Sequence, residues 1–272
     1  MLGLQPSAAD RTLQIAVELA ELLHLELFGL FLEDTNLHDL ANIPFAREFR
    51  PLGGGWQTIA LDRLSHDFEL AARSIERMFM RAAKHLSTRY QFEVARGPTA
   101  KTIATISRTD DIIMIVEPLS PAERATQQFS WLMQAAFESV AAVMLVPLHI
   151  VRTKGPIAAI ATSPDDPSIH VAAAVAIAAK EELVIIEADG HDTEDVRIRS
   201  LAYAGLAIKR MAAAKVGLPY PATCAQAFRQ VQERLIVMTR GAFQDDVAST
   251  IAAERRVPVL VVEPPSDAKP VP

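Results

Sequence analysis

The sequence is poor in cysteine, in net positive charge and in long apolar runs, and each shortage excludes a class of protein. A single cysteine, Cys224, excludes an internal disulfide and any zinc site built from several thiolates. A net charge of -6 argues against a protein that holds nucleic acid or an anionic membrane through bulk charge. The most apolar stretch, Val171 to Ala179, has nine residues, whereas a membrane-spanning helix needs about 20.

Catalytic and metal-binding patterns are missing as well. The seven histidines form no H-x-x-x-H or H-E-x-x-H pair, no G-x-S-x-G elbow occurs, and Cys224 matches no known catalytic pattern. We therefore predict no metal site and no enzyme activity, with a slow ATPase left open. The N-terminus lacks the basic region and apolar run of a secretory leader, so we expect a cytoplasmic protein without membrane insertion.

Two long stretches of the chain follow the same pattern. In Asp110 to Pro147, two acids precede the apolar run Ile112 to Val116, and an amphipathic helix then leads to a second apolar run, Ala142 to Val146. Arg234 to Pro265 repeats this order. Continuous apolar runs of this length are typical of strands buried on both faces. The repeat period of about 120 residues is one domain long, so the sequence predicts two similar α/β domains.

We place these domains at residues 1–150 and 151–272, and the second is the shorter copy and ends in a proline-rich tail. The first domain begins with a cut-short strand at Met1 to Leu4; either this strand is stunted or the natural chain begins further upstream. The other predicted strands are 25–32, 92–95, 112–116, 142–146, 156–161, 183–187, 223–227, 235–239 and 257–262. Predicted helices begin near Ser7 and span 61–87, 99–107, 129–140, 168–180, 194–216 and 245–254. Pro258 favours an edge position for the last strand.

Thr35 to Gln57 is predicted as a long irregular loop. Such loops in compact domains are functional or disordered, and this one is too apolar for disorder. Five of its side chains are candidates for contact with a partner protein, namely Phe45, Arg47, Phe49, Arg50 and Trp56. The alternative is that the aromatic side chains are buried against their own sheet.

The order and spacing of these elements resemble the universal stress protein family over nearly the whole chain. The resemblance is carried by L-G-L-Q-P-S-A-A-D, L-E-L-F-G-L-F-L-E-D and I-I-M-I-V-E-P in the first half, and by A-I-A-T-S-P-D-D-P and L-I-V-M-T-R-G in the second. It implies two tandem doubly wound, Rossmann-like parallel sheets of five strands with the order 3-2-1-4-5. It also implies an intrachain pseudo-dimer that pairs through the last strands, and a homodimer is left open.

Many members of that family bind ATP through an Asp after the first strand and a glycine loop after the fourth. Glycines let backbone amides approach the phosphates, and the helix start adds its dipole. Here the Asp position falls on Gln5 in the first half and on Ala161 or Thr162 in the second. The loop after Val116 has two prolines, two glutamates and no glycine, and the loop after Thr239 keeps one glycine ahead of two acids.

Two hypotheses from different classes follow. The preferred one is a non-catalytic stress-response scaffold or regulatory binding module, which has lost the ATP loop in both halves and recruits an unknown protein partner. The alternative is a nucleotide-binding module for ATP or AMP with a non-standard site in the second domain. Ligands enter open α/β sheets at the carboxyl ends of adjacent strands, so that site would use Ser163, Thr239, Arg240 and Gly241.

Overall fold

Short runs rich in Val, Ile and Leu form most of the strands, and segments with apolar residues every three to four positions form the helices. The computed structural model describes residues 6–33, 47–50, 55–58, 61–116, 126–187, 205–212, 228–243 and 245–264, with the single residues 35, 39, 43 and 45. The chain divides into two compact units, Met1–Ile106 and Ser107–Pro272. The predicted domain boundary after residue 150 was placed between the two sequence repeats and not by compactness, so it stays a prediction.

The described residues of the first unit form a parallel pair of strands, a small antiparallel hairpin and three helices. Its helices are α1 (Pro6–Leu22), α2 (Leu61–Ala83) and α3 (Thr99–Ile106), and its strands are β1 (Leu27–Glu33), β2 (Arg47–Arg50), β3 (Gly55–Thr58) and β4 (Tyr90–Arg96). Strands β1 and β4 are parallel, and β2 and β3 form the hairpin. A Cβ added at Gly29 would lie 2.7 Å from the ring of Phe92, so the close packing of β1 requires glycine there.

The second unit is built on one sheet of seven strands. In chain order its described elements are β5 (Ile112–Val116), α4 (Gln127–Glu138), β6 (Ala142–Val146), β7 (Ile157–Ala161), α5 (Pro167–Ala179), β8 (Leu183–Glu187), β9 (Ile208–Ala212), β10 (Leu235–Thr239), α6 (Asp245–Arg255) and β11 (Val259–Val262), with a 3₁₀ turn at Phe228–Gln230 before β10. The strand order is β5-β6-β11-β10-β7-β8-β9. Of the six strand pairs described in this sheet, the β11–β6 pair is antiparallel and the other five are parallel.

The mixed α/β fold with mainly parallel strands is confirmed. The second-half strands lie in the order β9-β8-β7-β10-β11, which is the 3-2-1-4-5 arrangement. The first half differs, because β5 and β6 continue the second-half sheet across the β11–β6 pair while β1 and β4 lie in the other unit. The described residues therefore do not form two separate five-stranded sheets. The strand predicted at Met1 to Leu4 lies outside the described residues.

Three local predictions are corrected. The helix predicted over 194–216 is wrong at β9, since Ile208–Ala212 pairs in parallel with β8; the Lys, Arg, Met and Ala of this segment favour helix, and the open edge of β8 overrides that preference. The strand predicted at 223–227 lies outside the described residues.

Pro258 is not in an edge strand, because β11 begins after it and lies between β10 and β6. The segment 35–57 is not irregular throughout, since it contains the hairpin.

The core of the second unit lies between this sheet and its helices. Strands β7, β10 and β11 are buried along their whole length. Helices α4 and α6 contribute Phe129, Ala136, Val247 and Ile251 to a cluster with side chains from β5, β6, β7, β8, β10 and β11. The Ala-rich helix α5 packs on β7 and β10. This packing fixes where the carboxyl ends of β7 and β10 lie.

Candidate functional site

The carboxyl ends of β7 and β10 form the candidate site. The two strands are parallel neighbours, with Ile160 opposite Met238 in the register. Strand β7 leads into α5 and β10 leads towards α6, and the strand order reverses between them. Ligands bind open α/β sheets at such a switch point. All four residues predicted for a nucleotide, at positions 163 and 239–241, follow or end these two strands.

Asp166 is the central side chain of this edge, and the sequence reasoning did not select it. It is the N-cap of α5 and is 2% exposed. Its Oδ1 accepts a hydrogen bond from the amide of Ser168 at 3.0 Å and a second one from the Thr239 hydroxyl. Its Oδ2 accepts from the amide and the hydroxyl of Thr162, at 2.9 and 3.0 Å. The carboxylate thus joins the end of β7, the end of β10 and the start of α5.

The local sequence explains why α5 begins here. In S-P-D-D-P-S, an acid stands directly before a proline at the first helical position, which is the N-cap pattern that could have identified Asp166. Burial raises the pKa of the Asp166 carboxyl, but the hydrogen bonds from Thr162, Thr239 and Ser168 outweigh burial and leave that pKa below its ordinary value. Asp166 is therefore an ionised carboxylate in a nearly dry position.

Two of the predicted nucleotide ligands lie beside Asp166. Thr239 is 7% exposed, and its hydroxyl donates to the Asp166 carboxylate. Ser163 is exposed, and its carbonyl oxygen accepts from the Asp166 amide at 3.2 Å, which closes the turn that enters α5. The Thr239 hydroxyl proton is thus held inside the protein, whereas the side chain of Ser163 lies at the surface.

Arg240 belongs to a different cluster. Its guanidinium donates to the carbonyl oxygens of Phe137, Ser139 and Ala141 at 2.9, 2.6 and 2.6 Å, and it forms an ion pair with Glu263. The guanidinium carbon also lies 5.7 Å from the centre of the Phe137 ring. A cation at the C-terminus of α4 satisfies the last carbonyls of that helix and opposes its dipole. Arg240 therefore ties the end of β10 to the α4–β6 connection.

Gly241 follows Arg240 with a φ of 76°, in the left-handed region that favours glycine. It is exposed, and a Cβ built there would meet no atom within 4 Å. The predicted ligands thus separate into a buried donor, a structural arginine and two surface residues. The first-half loop after Val116 and the histidine-containing segment 188–204 lie outside the described residues.

A second buried acid lies at the opposite end of β10. Glu233 is fully buried and precedes the strand. Its Oε1 accepts from Arg152 at 3.1 Å and from Arg255 at 2.8 Å, and its Oε2 accepts from Arg255 at 3.1 Å. Arg152 lies just after the repeat boundary, and Arg255 is the last residue of α6. This arginine–glutamate–arginine cluster therefore links the first residues of the second half to its last helix.

The candidate partner residues of the first unit lie on and beside the hairpin. Phe45 is 90% exposed, Trp56 is 66% exposed, and Arg47 is exposed. Phe49 stands opposite Trp56 in the β2–β3 register. The side chains of Phe49 and Arg50 are outside the description. Phe45 and Trp56 do not fit the alternative in which the aromatics of this segment are buried against their own sheet.

Within the described ranges, no three His, Cys, Asp or Glu side chains are grouped closely enough to hold a metal ion. Among the same residues, no helix combines the length and the apolar character that crossing a membrane requires.

The sequence and the structure were both compared with known proteins. No protein-family model matches the sequence, and no curated protein does. The structure is similar to the crystal structure of a universal stress protein from Archaeoglobus fulgidus, with a TM-score of 0.66 and 16% identity over 94% of this chain and 92% of that one. A putative universal stress protein from Pseudomonas aeruginosa aligns with a TM-score of 0.38 and 14% identity over 88% of this chain and 93% of that one, which is too low to support an argument. The first similarity covers both halves, and on that evidence the chain has the universal stress protein fold.

Proposed function

We propose that this protein is a non-catalytic binding protein of the stress-response type, which acts as a scaffold or regulatory module and has lost the family's ATP loop in both halves. The observation that carries the proposal is that the polar side chains at the switch point already form bonds with other groups of the same chain. The Thr239 hydroxyl is bound to Asp166, and the Arg240 guanidinium is bound to three carbonyl oxygens and Glu263. A nucleotide would have to break these contacts before it could use either residue.

The sequence of the strand-end loops supports the same proposal. After β10, Gly241 is followed by Ala242 and Phe243, so one flexible amide position takes the place of a glycine loop. After β5, Pro118 and Pro121 remove two amide donors from the loop. Loops of this composition offer few backbone amides to phosphate groups.

We place the partner-binding surface on the hairpin and the residue that precedes it. Exposed aromatic side chains combined with arginine are typical of the side chains that carry most of the binding energy in protein interfaces. Phe45, Trp56 and Arg47 present this combination at the surface. The expected partner is a protein, and the expected compartment is the cytoplasm.

One observation favours the alternative of a nucleotide site in the second half. Ser163 and Gly241 are exposed at the ends of neighbouring strands, and Gly241 has open space around its α-carbon. A ligand could reach both without displacing a buried side chain. This site would rest on backbone groups and one hydroxyl, so its affinity for nucleotides would be low.

Calorimetry on the full-length protein with ATP and with AMP, each with magnesium, decides between the two. The proposal expects no saturable heat and no rise in Tm at millimolar nucleotide. Saturable binding that is weakened by Ser163→Ala would overturn the proposal and establish the alternative.

The hairpin is tested separately with Phe45→Ser and Trp56→Ser in one chain. Ile106→Ser is the matched control, because Ile106 is a similarly exposed apolar residue elsewhere in the first unit, at 41%. We expect cross-linked partners of the wild-type protein to be retained by the control and lost from the double variant. Equal recovery by all three proteins would remove the hairpin from the proposal.

A further inference from the structure

We propose that the Asp166 carboxylate occupies the position at the switch point where the acidic group of a ligand would bind. It is an autoinhibitory contact, because it prevents anions from binding at this edge of the sheet. The inference rests on the proposed loss of the nucleotide site in the second half. It gives that loss a cause beyond the missing glycines.

The number and origin of the donors carry the inference. Capping α5 requires only the hydrogen bond from the Ser168 amide. The carboxylate also receives the amide and hydroxyl of Thr162 from the end of β7, and the hydroxyl of Thr239 from the end of β10. Amides and hydroxyls that converge on an oxyanion from two strand ends and a helix start are the arrangement by which α/β proteins hold phosphate or carboxylate ligands. Here the protein supplies the oxyanion itself.

The start of α5 beside the carboxylate is bonded to β7. Ser168 is fully buried, and its hydroxyl donates to the carbonyl oxygen of Ile160 at 3.0 Å, which fixes the first turn of α5 against β7. With Asp166 2% exposed, no second anion can share the donors. An arriving acidic group would also meet the negative charge of Asp166 and of its exposed neighbour Asp165.

Removal of the carboxylate should turn the closed edge into an anion site. Asp166→Gly is the informative change, because glycine is tolerated at an N-cap and vacates the volume of the carboxyl group. The probes are sodium acetate, which has the chemistry of the lost group, and sodium phosphate, each compared with sodium chloride at equal ionic strength. For Asp166→Gly we expect acetate to raise the Tm by about 2 to 4 °C, the shift for a site filled at about five times its Kd.

The wild-type protein and Asp165→Gly are the controls. Asp165→Gly removes the same charge one residue away, so a general effect of net charge would appear in it as well. A folded Asp166→Gly protein that acetate and phosphate stabilise no more than chloride does would overturn the inference. If Asp166→Gly does not fold, Asp166→Ser keeps a helix cap and also vacates space, and the same comparison decides. Nucleotide binding at this edge of the wild-type protein would contradict both the proposed function and the closure of the edge, whereas failure of the acetate and phosphate test alone would overturn only the inference.

Discussion

Asp166 and Glu233 are two buried acids in the same half of the chain, at opposite ends of the same sheet, and they are held in different ways. Glu233, at the amino end, lies between the guanidinium groups of Arg152 and Arg255. The hydrogen-bond donors to Asp166, at the carboxyl end, are neutral amides and hydroxyls. The charge of Glu233 is neutralised by two arginines, and the cluster links the start of the second half to α6. The charge of Asp166 is not neutralised by a cation, so it remains negative at the edge of the sheet where ligands enter this fold.

The largest expected effect is at the charge-compensated end. Glu233→Ala leaves two partly buried arginines without their anion, and breaking a buried ion pair by removing one partner lowers stability by about 3 to 5 kcal/mol. We expect that loss in the free energy of unfolding measured with urea. Glu182→Ala, at an exposed glutamate beside β8, is the control and should stay within about 0.5 kcal/mol of the wild type. Equal free energies of unfolding for the two variants would show that the Glu233 cluster does not stabilise the fold.

The second effect is at the dipole-held end and should be smaller. Asp166→Ala removes the cap of α5 and leaves the donors of Thr162 and Thr239 without an acceptor, which we expect to lower stability by about 2 kcal/mol. The same urea measurement applies. A loss as large as that of Glu233→Ala would remove the distinction between the two ends.

The pH dependence of stability tests the Asp166 contacts further. The pKa of Asp166 is lowered in the folded protein, so the stability from its ionisation is complete above the unfolded pKa of about 3.9 and is lost as the pH falls through the folded value. Asp166→Asn cannot ionise and should lack this contribution. Between neutral pH and pH values below about 4, the wild-type protein should therefore lose more stability than Asp166→Asn, as measured by urea midpoints. Parallel losses in both proteins would contradict the assignment.

Much of the strand framework was predictable from local sequence. The bounds of β5, β6, β8 and β10 agree with the predicted strands residue for residue, because each of these strands is a nearly continuous apolar run bounded by polar residues or turns. Strand β9 was not predictable in this way. It lies at the edge of the sheet and carries Lys209 and Arg210, so its composition resembles that of an exposed helix, and only the neighbouring β8 makes it a strand.

The candidate site was predictable in place but not in its contacts. That Thr239 ends a strand follows from the apolar run before it, and that this strand lies beside β7 follows from the strand order that the family resemblance implies. That its hydroxyl meets Asp166, 73 positions earlier in the chain, depends on the register of β7 with β10 and on the point where α5 begins. The contacts of Arg240 were not predictable for the same reason, since its carbonyl partners lie about 100 positions away in the α4–β6 connection. Contacts between distant segments leave no local pattern in the sequence.

The smallest effect should come from one donor of the Asp166 cluster. Thr239→Val keeps the shape of the side chain and deletes the hydroxyl, so the buried carboxylate loses one of its neutral donors and the protein about 1 kcal/mol of stability. Thr239→Ser keeps the donor and controls for the methyl group. Because that hydrogen bond is one of those that lower the pKa of Asp166, Thr239→Val should also lose less stability between neutral and acidic pH than Thr239→Ser. A Thr239→Val protein with unchanged acid sensitivity would show that the end of β10 does not hold the anion, and the carboxyl end would then be an ordinary helix cap rather than the counterpart of the arginine-held end.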